Sequence, residues 1–156
     1  MDRQVVFKGR IFEVVRKGGM EIVEHRAAVA IVPVSGDYVT LVRQERVATG
    51  GRVLELPAGM LEAGESPLES ARRELREETG LHGGEWVELA TFFTSPGFTD
   101  EKIHLFIATG LEEGEASPED TEEIELVRVP LDQVPALLEE VEDGKTLAGL
   151  LLLLRR

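Results

Sequence analysis

The sequence predicts an α+β fold in which helices cover both faces of a mixed β-sheet. Two observations carry this prediction: strand-like segments fill the first half of the chain, and one strongly capped helix separates them from further strands and two final helices. The chain has 156 residues, of which 42% are hydrophobic and 30% are charged. This length and composition predict a single globular domain spanning residues 1–156.

Strand signals dominate the first half of the chain. The segments VVFKG, RIFEVVRK and MEIVEH predict short strands, with a tight turn at Gly18–Gly19 between the last two. The segments AAVAIVPV and DYVTLVRQE flank Ser35–Gly36 and predict a hairpin. The segment RVLELPAG predicts one more strand, which Pro57 and Gly59 end.

One helix is predicted between Ser66 and Gly80. Ser66 and Glu69 have the spacing of a capping box, and Pro67 takes the first helical position, where its missing N–H costs no hydrogen bond. Gly80 suits the left-handed conformation that often ends a helix. A narrow apolar face recurs at spacings of three and four residues, made of Leu68, Ala71 and Leu75.

The second half of the chain continues with strands and ends in helices. Strands are predicted at EWVELATFF, KIHLFIATG and IELVRVP, and helices at DQVPALLEEVEDG and TLAGLLLLLRR. Residues 112–123, EEGEASPEDTEE, predict a polar acidic loop. The apolar run 147–154 is interrupted by Gly149 and is too short to span a bilayer, so we expect a core or dimer-interface helix there.

The charge balance limits the partners. The chain has 17 Lys and Arg against 30 Asp and Glu, a net charge of −13 that would repel a nucleic-acid backbone, so we expect no nucleic-acid partner. The N-terminus lacks the apolar core of a signal peptide and the chain has no cysteine, so we expect a cytoplasmic protein without membrane partners. The same negative field opposes a phosphorylated substrate unless cations are present.

The predicted helix gathers Glu74, Glu77 and Glu78 on neighbouring turns, because residues three and four apart share a helix face. Such like charges repel by roughly a few tenths of a kcal/mol per pair. A hard divalent cation such as Mg²⁺, which prefers carboxylate and carbonyl oxygens, would offset the repulsion. The alternative is ion pairing with the arginines of the same helix, Arg72, Arg73 and Arg76.

The stretch from Gly59 to Leu81 resembles the signature of the Nudix hydrolases, Gly-x5-Glu-x7-Arg-Glu-U-x-Glu-Glu-x-Gly-U, where U is aliphatic. Every fixed position is met, by Gly59, Glu65, Arg73, Glu74, Leu75, Glu77, Glu78, Gly80 and Leu81. The resemblance implies a Nudix-type α/β/α sandwich with a mixed sheet and an N-terminal antiparallel sheet. It also implies two or three Mg²⁺ or Mn²⁺ ions that hold a diphosphate.

The resemblance further assigns roles to individual residues. Glu74 and Glu78 would bind metal together with the backbone carbonyl of Ala58, and Glu77 would be a ligand or a catalytic neighbour. Two residues would hold the preceding loop to the helix, Glu65 and Arg73. Bound metal would make the diphosphate attractive to the carboxylates and would activate water for in-line attack on phosphorus.

Two further segments suggest the substrate. FTSPGFTDEK resembles the proline-containing loop of the ADP-ribose pyrophosphatase branch, in which the carboxylate at Glu101 would contact the terminal ribose, with Gly97 and Phe98 close to the base or sugar. LVRQERVATGGRVLELPAG also resembles this branch and assigns Arg46 to the diphosphate, for which a guanidinium is well shaped. Arg43 and Arg26 are weaker candidates for substrate binding.

The acidic loop is expected to supply the general base. By its distance from Ile124, Glu122 matches a metal ligand of the related enzymes, and the neighbouring catalytic position falls on Asp120, where those enzymes usually carry glutamate. The base therefore remains open among three residues, Asp120, Glu119 and Glu123.

The expected reaction is metal-dependent hydrolysis of ADP-ribose to AMP and ribose 5-phosphate. One alternative within the family is cleavage of another nucleoside diphosphate sugar or of a dinucleoside polyphosphate. An alternative of a different class is a non-catalytic Nudix-like module that senses a ligand or binds a protein. The resemblance also implies a homodimer, in which the N-terminal strands, residues 1–25, help to form the partner's substrate site.

Overall fold

A small antiparallel sheet forms the N-terminal part of the molecule. The computed structural model describes residues 2–119 and 123–156. The three strands of this sheet are β1 (Arg3–Lys8), β2 (Phe12–Lys17) and β3 (Met20–His25). Both glycines of the Gly18–Gly19 turn between β2 and β3 adopt positive φ angles, 55° and 82°, as a tight hairpin turn requires. The expected N-terminal antiparallel sheet is confirmed.

The remaining seven strands form a mixed sheet. They are β4 (Ala28–Ser35), β5 (Tyr38–Arg46), β6 (Gly51–Glu55), β7 (Ala58–Met60), β8 (Glu85–Phe93), β9 (Lys102–Thr109) and β10 (Glu125–Pro130). Their spatial order is β10-β5-β4-β9-β8, with β6 beside β5 and β7 beside β4. β4 and β9 run parallel, whereas β8 is antiparallel to β9 and β5 is antiparallel to β10.

The helices lie on both faces of this sheet. They are α1 (Pro67–Thr79), α2 (Val134–Leu137), which follows a 3₁₀ turn at Leu131–Gln133, and α3 (Gly144–Leu153). The capping box of α1 and its C-cap at Gly80, with φ 77°, are confirmed. In residues 2–119 and 123–156, no helix is both long and apolar enough to cross a membrane.

The alternation of side chains along β4 explains the sandwich. Val29 and Ile31 point to one face and pack with Leu75 of α1, while Val32 points to the other face and packs with Leu150 of α3. Because β4 is covered on both faces, its apolar run is continuous rather than alternating. The predicted α/β/α sandwich is confirmed.

The helix predicted at DQVPALLEEVEDG is wrong in extent, because α2 ends at Leu137 after one turn. The residues that follow are mostly acidic and repel one another at helical spacing. In addition, Asp143 adopts an extended backbone, and its side chain accepts a hydrogen bond from the Thr146 N–H as the N-cap of α3. A residue that caps the next helix in this conformation cannot continue the previous one.

The sequence also fails to predict β7 as a strand of its own. The strand expected over RVLELPAG ends at Glu55, and after Leu56–Pro57 the chain pairs again, with Ala58–Met60 antiparallel to Ala28–Ala30 of β4. Pro57 has no N–H to give to a ladder, so it separates the two strands. This correction matters for function, because β7 carries both Ala58 and Gly59 to the same cleft as α1.

Candidate active site

Arg73 of α1 is the centre of a group of carboxylates. It donates from Nε and Nη2 to the two carboxylate oxygens of Glu65 at 2.7 and 3.0 Å. Its Nη1 donates to Glu74 at 2.7 Å and to Glu77 at 3.3 Å, and its Nη2 also donates to the Met60 carbonyl at 3.3 Å. One guanidinium therefore joins the loop before α1 to the carboxylates of the helix, as expected for Glu65 and Arg73.

This geometry changes the acidity of the pair. The hydrogen bonds from Arg73 lower the pKa of Glu65 to about 2. In turn, the hydrogen bonds to Glu65 are the main cause that raises the pKa of Arg73 above its ordinary value. Both groups are therefore charged throughout the neutral range.

β7 presses closely against the carboxylates of α1. A Cβ added at Gly59 would overlap the carboxylate group of Glu74, so only glycine leaves the space that this carboxylate occupies. The Ala58 N–H donates to Oε2 of Glu78 at 3.3 Å, and Glu78 is 5% exposed. A carboxylate buried this deeply at the edge of a cleft requires partners for its charge.

A second charged group lies where β5, β6 and the start of α3 meet, and its members Arg46, Asp143 and Lys145 line the cleft. Arg46 donates from Nε and Nη2 to the two oxygens of Glu55 at 2.6 and 2.9 Å, and the Glu55 side chain is 3% exposed. Lys145 donates to Oε2 of the same carboxylate at 2.6 Å and to Asp143 at 3.0 Å. Burial alone would raise the pKa of Glu55, but Arg46 and Lys145 outweigh burial and lower it.

A third group lies at the end of the cleft formed by β3, β8 and the loop before β9. Thr94 donates to Oε2 of Glu101 at 2.8 Å, and Nδ1 of His25 lies 3.3 Å from Oε1 of the same carboxylate. The same His25 nitrogen is 2.7 Å from the Arg26 carbonyl oxygen. Arg26 extends its guanidinium toward the Leu61 carbonyl oxygen at 3.5 Å.

These three groups line one cleft of about 940 Å³. Seven of the residues predicted to act in catalysis, substrate binding or metal binding line it: Arg26, Arg46, Ala58, Glu74, Glu77, Glu78 and Glu101. Glu119, one of the candidates for the general base, also lines it. Four candidates among the described residues do not, Arg43, Gly97, Phe98 and Glu123, and Phe98 is 56% exposed. The remaining two, Asp120 and Glu122, lie outside the described residues.

The loop that contains Gly97 and Phe98 is attached to the N-terminal sheet. The Val23 N–H donates to the Phe98 carbonyl at 2.7 Å, and the Asp100 carboxylate accepts the His25 N–H at 2.9 Å. The backbone of this loop therefore follows β3, whereas Phe98 is exposed and does not line the cleft of its own chain.

Sequence reasoning missed His25 and Lys145, which line this cleft, and Glu55, which binds Arg46 and Lys145 of its lining. One signal was available for Glu55, which shares a strand face with Val53 because residues two apart in a strand point the same way. Apart from Glu55 this face of the strand is uncharged, and a charged side chain that is buried there needs a partner. Lys145 has no comparable signal, because its position depends on where α3 begins.

The residues on the α1 side fit a hard divalent cation. Glu74, Glu78 and the Ala58 carbonyl offer the oxygen donors that Mg²⁺ and Mn²⁺ prefer, and the space at Gly59 brings the Glu74 carboxylate against β7. Within residues 2–119 and 123–156, the carboxylates are not spaced as a group of three or more around one metal position. Arg73 instead contacts Glu65, Glu74 and Glu77.

Comparison with known proteins agrees with this geometry. Residues 24–150 match the family model of the NUDIX domain. The ADP-ribose pyrophosphatase of Bacillus subtilis is 42% identical over 132 residues, which cover 81% of this chain and 71% of that protein. The methanol dehydrogenase activator of Bacillus methanolicus is 40% identical over 131 residues, with the same shares of 81% and 71%.

A crystal structure of an ADP compounds hydrolase superposes with a TM-score of 0.84 at 27% sequence identity, and it covers 99% of this chain and 91% of that one. The fold and the cleft thus define a pyrophosphohydrolase. The chain belongs to the Nudix family, and within it resembles the ADP-ribose pyrophosphatases. Hydrolases of this family generally use divalent metal ions.

Proposed function

We propose that this enzyme hydrolyses the diphosphate bond of ADP-ribose to AMP and ribose 5-phosphate by in-line attack of water. The observation that carries the proposal is that one cleft is lined by the α1 carboxylates, by Arg46 and by Glu101. A diphosphate between two sugars needs positive charge at its phosphates and hydrogen-bond acceptors at its sugar hydroxyls, and this cleft offers both. The names of the B. subtilis relative and of the ADP compounds hydrolase support the adenine nucleotide.

In this proposal the α1 side holds the metal. Glu74, Glu78 and the Ala58 carbonyl would hold Mg²⁺ or Mn²⁺, with Glu122 as a further ligand and two or three ions in all. When bound, such ions neutralise the diphosphate and activate water for attack. Arg73 fixes the positions of the Glu74 and Glu77 carboxylates through hydrogen bonds of 2.7 and 3.3 Å.

Other residues would handle the proton and the substrate. A carboxylate of the acidic loop, Asp120, Glu119 or Glu123, would take the proton from the attacking water, and Glu77 would assist from α1 as a ligand or as a catalytic neighbour. Arg46 would donate to the diphosphate through the N–H groups that Glu55 does not use. Glu101, held by Thr94 at 2.8 Å, would accept hydrogen bonds from the two hydroxyls of the terminal ribose. A further cation, Arg26, lines the cleft near that end.

We also propose that the active enzyme is a homodimer formed through the N-terminal strands. β1 is exposed along its whole length, and Val6 and Phe7 are 49% and 55% exposed. An apolar face of this kind usually marks a protein interface. Phe98 and Gly97, which do not line their own cleft, would then reach the substrate of the partner. Sedimentation should give a dimer for the wild type and a monomer for Phe7→Glu; a wild-type monomer would contradict the arrangement.

A substrate panel tests the reaction. ADP-ribose, a GDP-sugar and a diadenosine polyphosphate are each incubated with enzyme and Mg²⁺, and the phosphate-containing products are quantified. We expect AMP and ribose 5-phosphate from ADP-ribose at the highest kcat/KM. A tenfold preference for either competitor would favour the alternative Nudix reactions.

The alternative of a different class, a ligand sensor or interaction module, has one specific observation in its favour, the name of the B. methanolicus relative. The variant Glu78→Gln separates the two. Loss of turnover with retained ADP-ribose binding would support catalysis, whereas full turnover in Glu78→Gln would contradict the role given to this carboxylate. Absence of turnover in the wild type with every substrate would favour the non-catalytic module.

A further inference from the structure

Lys145 is largely buried, and the desolvation of its ammonium group opposes this position. It lies in the first turn of α3, its side chain is 16% exposed, and it lines the same cleft as Arg46. Lysine is among the residues least often buried, because its strongly hydrated ammonium loses water on burial. The cap of α3 does not need this lysine, since Asp143 already accepts the N–H and hydroxyl of Thr146 at 3.0 and 2.6 Å.

The partner of Lys145 is also the partner of Arg46. Oε2 of Glu55 accepts from Lys145 at 2.6 Å and from Nη2 of Arg46 at 2.9 Å, while Oε1 accepts from Nε of Arg46. A buried carboxylate that paired with Arg46 alone would orient the guanidinium but cancel its charge. A second cation on the same carboxylate restores a positive potential at this side of the cleft.

The charge of Asp143, the other partner of Lys145, is compensated separately. Asp143 stands at the N-terminus of α3, where the N–H groups and the helix dipole favour a negative charge. Its Oδ1 accepts from Lys145 and its Oδ2 from Thr146, so the carboxylate joins the lysine to the helix end. Lys145 is thereby fixed in position relative to the sheet.

We propose that Lys145 is a positioning residue for substrate binding: it shares the charge of Glu55, so that Glu55 can orient Arg46 toward the diphosphate without neutralising it. The inference rests on the proposed role of Arg46 in binding the diphosphate. Lys145 acts through Arg46 and does not itself contact the substrate.

A double-mutant cycle tests this directly. Lys145→Met, Arg46→Gln and the double variant are compared with the wild type by kcat and KM for ADP-ribose and by the Kd of a non-hydrolysable ADP-ribose analogue measured by calorimetry. We expect each single variant to raise KM and Kd by about tenfold or more, the effect of losing one charged hydrogen bond. The double variant should be no worse than Arg46→Gln, because Lys145 has no effect without Arg46.

Controls separate this effect from a loss of folding. Lys145→Arg keeps the charge and should retain a KM within about threefold of the wild type, a free-energy change below that of one hydrogen bond. Arg52→Gln changes an exposed arginine on β6, the strand of Glu55; this arginine pairs with Glu125 at 3.2 Å, and the variant should leave KM unchanged. Thermal denaturation of every variant shows whether it is folded at the assay temperature.

Three results would overturn the proposal. Multiplicative effects of the two substitutions would mean that Lys145 contacts the substrate independently. An unchanged KM in folded Lys145→Met, or in Lys145→Gln should the methionine variant not fold, would mean that the lysine serves stability alone. Because wild-type turnover of ADP-ribose is measured in the same series, failure of the proposed reaction would be recognised separately from failure of this inference.

Discussion

Both sides of the cleft are built around an arginine–glutamate pair, and they differ in the charge of the residues that join this pair. On the α1 side, which we call the carboxylate wall, Arg73 forms a two-pronged pair with Glu65 at 2.7 and 3.0 Å. On the side formed by β5, β6 and the start of α3, which we call the cation wall, Arg46 forms the same pair with Glu55 at 2.6 and 2.9 Å. The extra partners differ: the first pair attracts further glutamates, Glu74 and Glu77, while the second attracts Lys145.

The difference between the walls teaches what each can bind. The carboxylate wall has one arginine among several glutamates and therefore still attracts cations. On the cation wall, Arg46 and Lys145 balance Glu55 and Asp143, and the N-terminus of α3 also offsets the charge of Asp143, so this wall can receive an anion. Burial differs as well, since the side chain of Glu55 is 3% exposed and that of Glu65 is 20% exposed. A metal on one wall and a diphosphate between the walls would satisfy both.

Removal of divalent ions should give the largest effect, because it leaves the carboxylate wall without its cations. With chelator present, we expect kcat for ADP-ribose to fall by about 1000-fold or more, since bound metal supplies several kcal/mol of transition-state stabilisation. Addition of Mg²⁺ should restore activity. Mg²⁺ should also raise the melting temperature of the wild type and of Arg46→Gln but not of Glu78→Gln. Undiminished activity in the presence of chelator would contradict the assignment of the carboxylate wall as the metal-binding side of the cleft.

Gly59→Ala tests the carboxylate wall by sterics alone. The added Cβ would displace the Glu74 carboxylate from its place against β7, so we expect about a 100-fold loss of kcat/KM and weaker Mg²⁺ binding by calorimetry. The matched control is Gly51→Ala, at the start of β6, where a Cβ would meet no atom within 4 Å. Equal activity of the two variants would show that the placement of Glu74 is unimportant.

Arg46→Gln tests the cation wall. We expect kcat/KM for ADP-ribose to fall by about 10- to 100-fold, because a hydrogen bond between charged groups contributes roughly 1.5–3 kcal/mol. Mg²⁺ affinity in the absence of nucleotide should not fall, because Arg46 is a cation that offers no oxygen ligand to a metal and lies close enough to Glu78 to interact with its charge. A loss of Mg²⁺ binding in this variant, absent in Arg52→Gln, would mean that the two walls are not independent.

The sequence predicted the carboxylate wall far better than the cation wall, because most residues of the carboxylate wall lie close together in the sequence. The carboxylate wall comes largely from consecutive turns of one helix, whose caps at Ser66 and Gly80 and whose spacing of Glu74, Glu77 and Glu78 are visible in a short segment. Only β7 was missed, because Pro57 and Gly59 indicate a turn rather than a strand.

The cation wall is assembled from distant parts of the chain. Glu55 and Lys145 are 90 residues apart and meet only because β6 and the start of α3 reach the same edge of the sheet. No local sequence pattern predicts this contact. The helix predicted over DQVPALLEEVEDG runs through Asp143, so the start of α3 at Gly144 was not predicted. Only Arg46 was found there, through its resemblance to a family segment. The pairing of Thr94 and His25 with Glu101 was missed for the same reason.

Glu65→Gln should give the smallest effect and sharpens the comparison of the two pairs through pH. The pKa of Glu65 is lowered from 4.5 to about 2 by Arg73, so its ionised form stabilises the folded protein fully above pH 4.5 and loses this contribution as the pH falls toward 2. The free energy of unfolding, measured by chemical denaturation, should therefore differ most between wild type and variant above pH 5, and the difference should shrink toward pH 2. Glu62→Gln is the control, because its carboxylate lies 4.0 Å from Arg73 and is 66% exposed, and it should change stability little. A difference that stayed constant from pH 5 to 2 would mean that Glu65 contributes through packing of its side chain, so that the charge symmetry between the two arginine–glutamate pairs would not extend to their energetics.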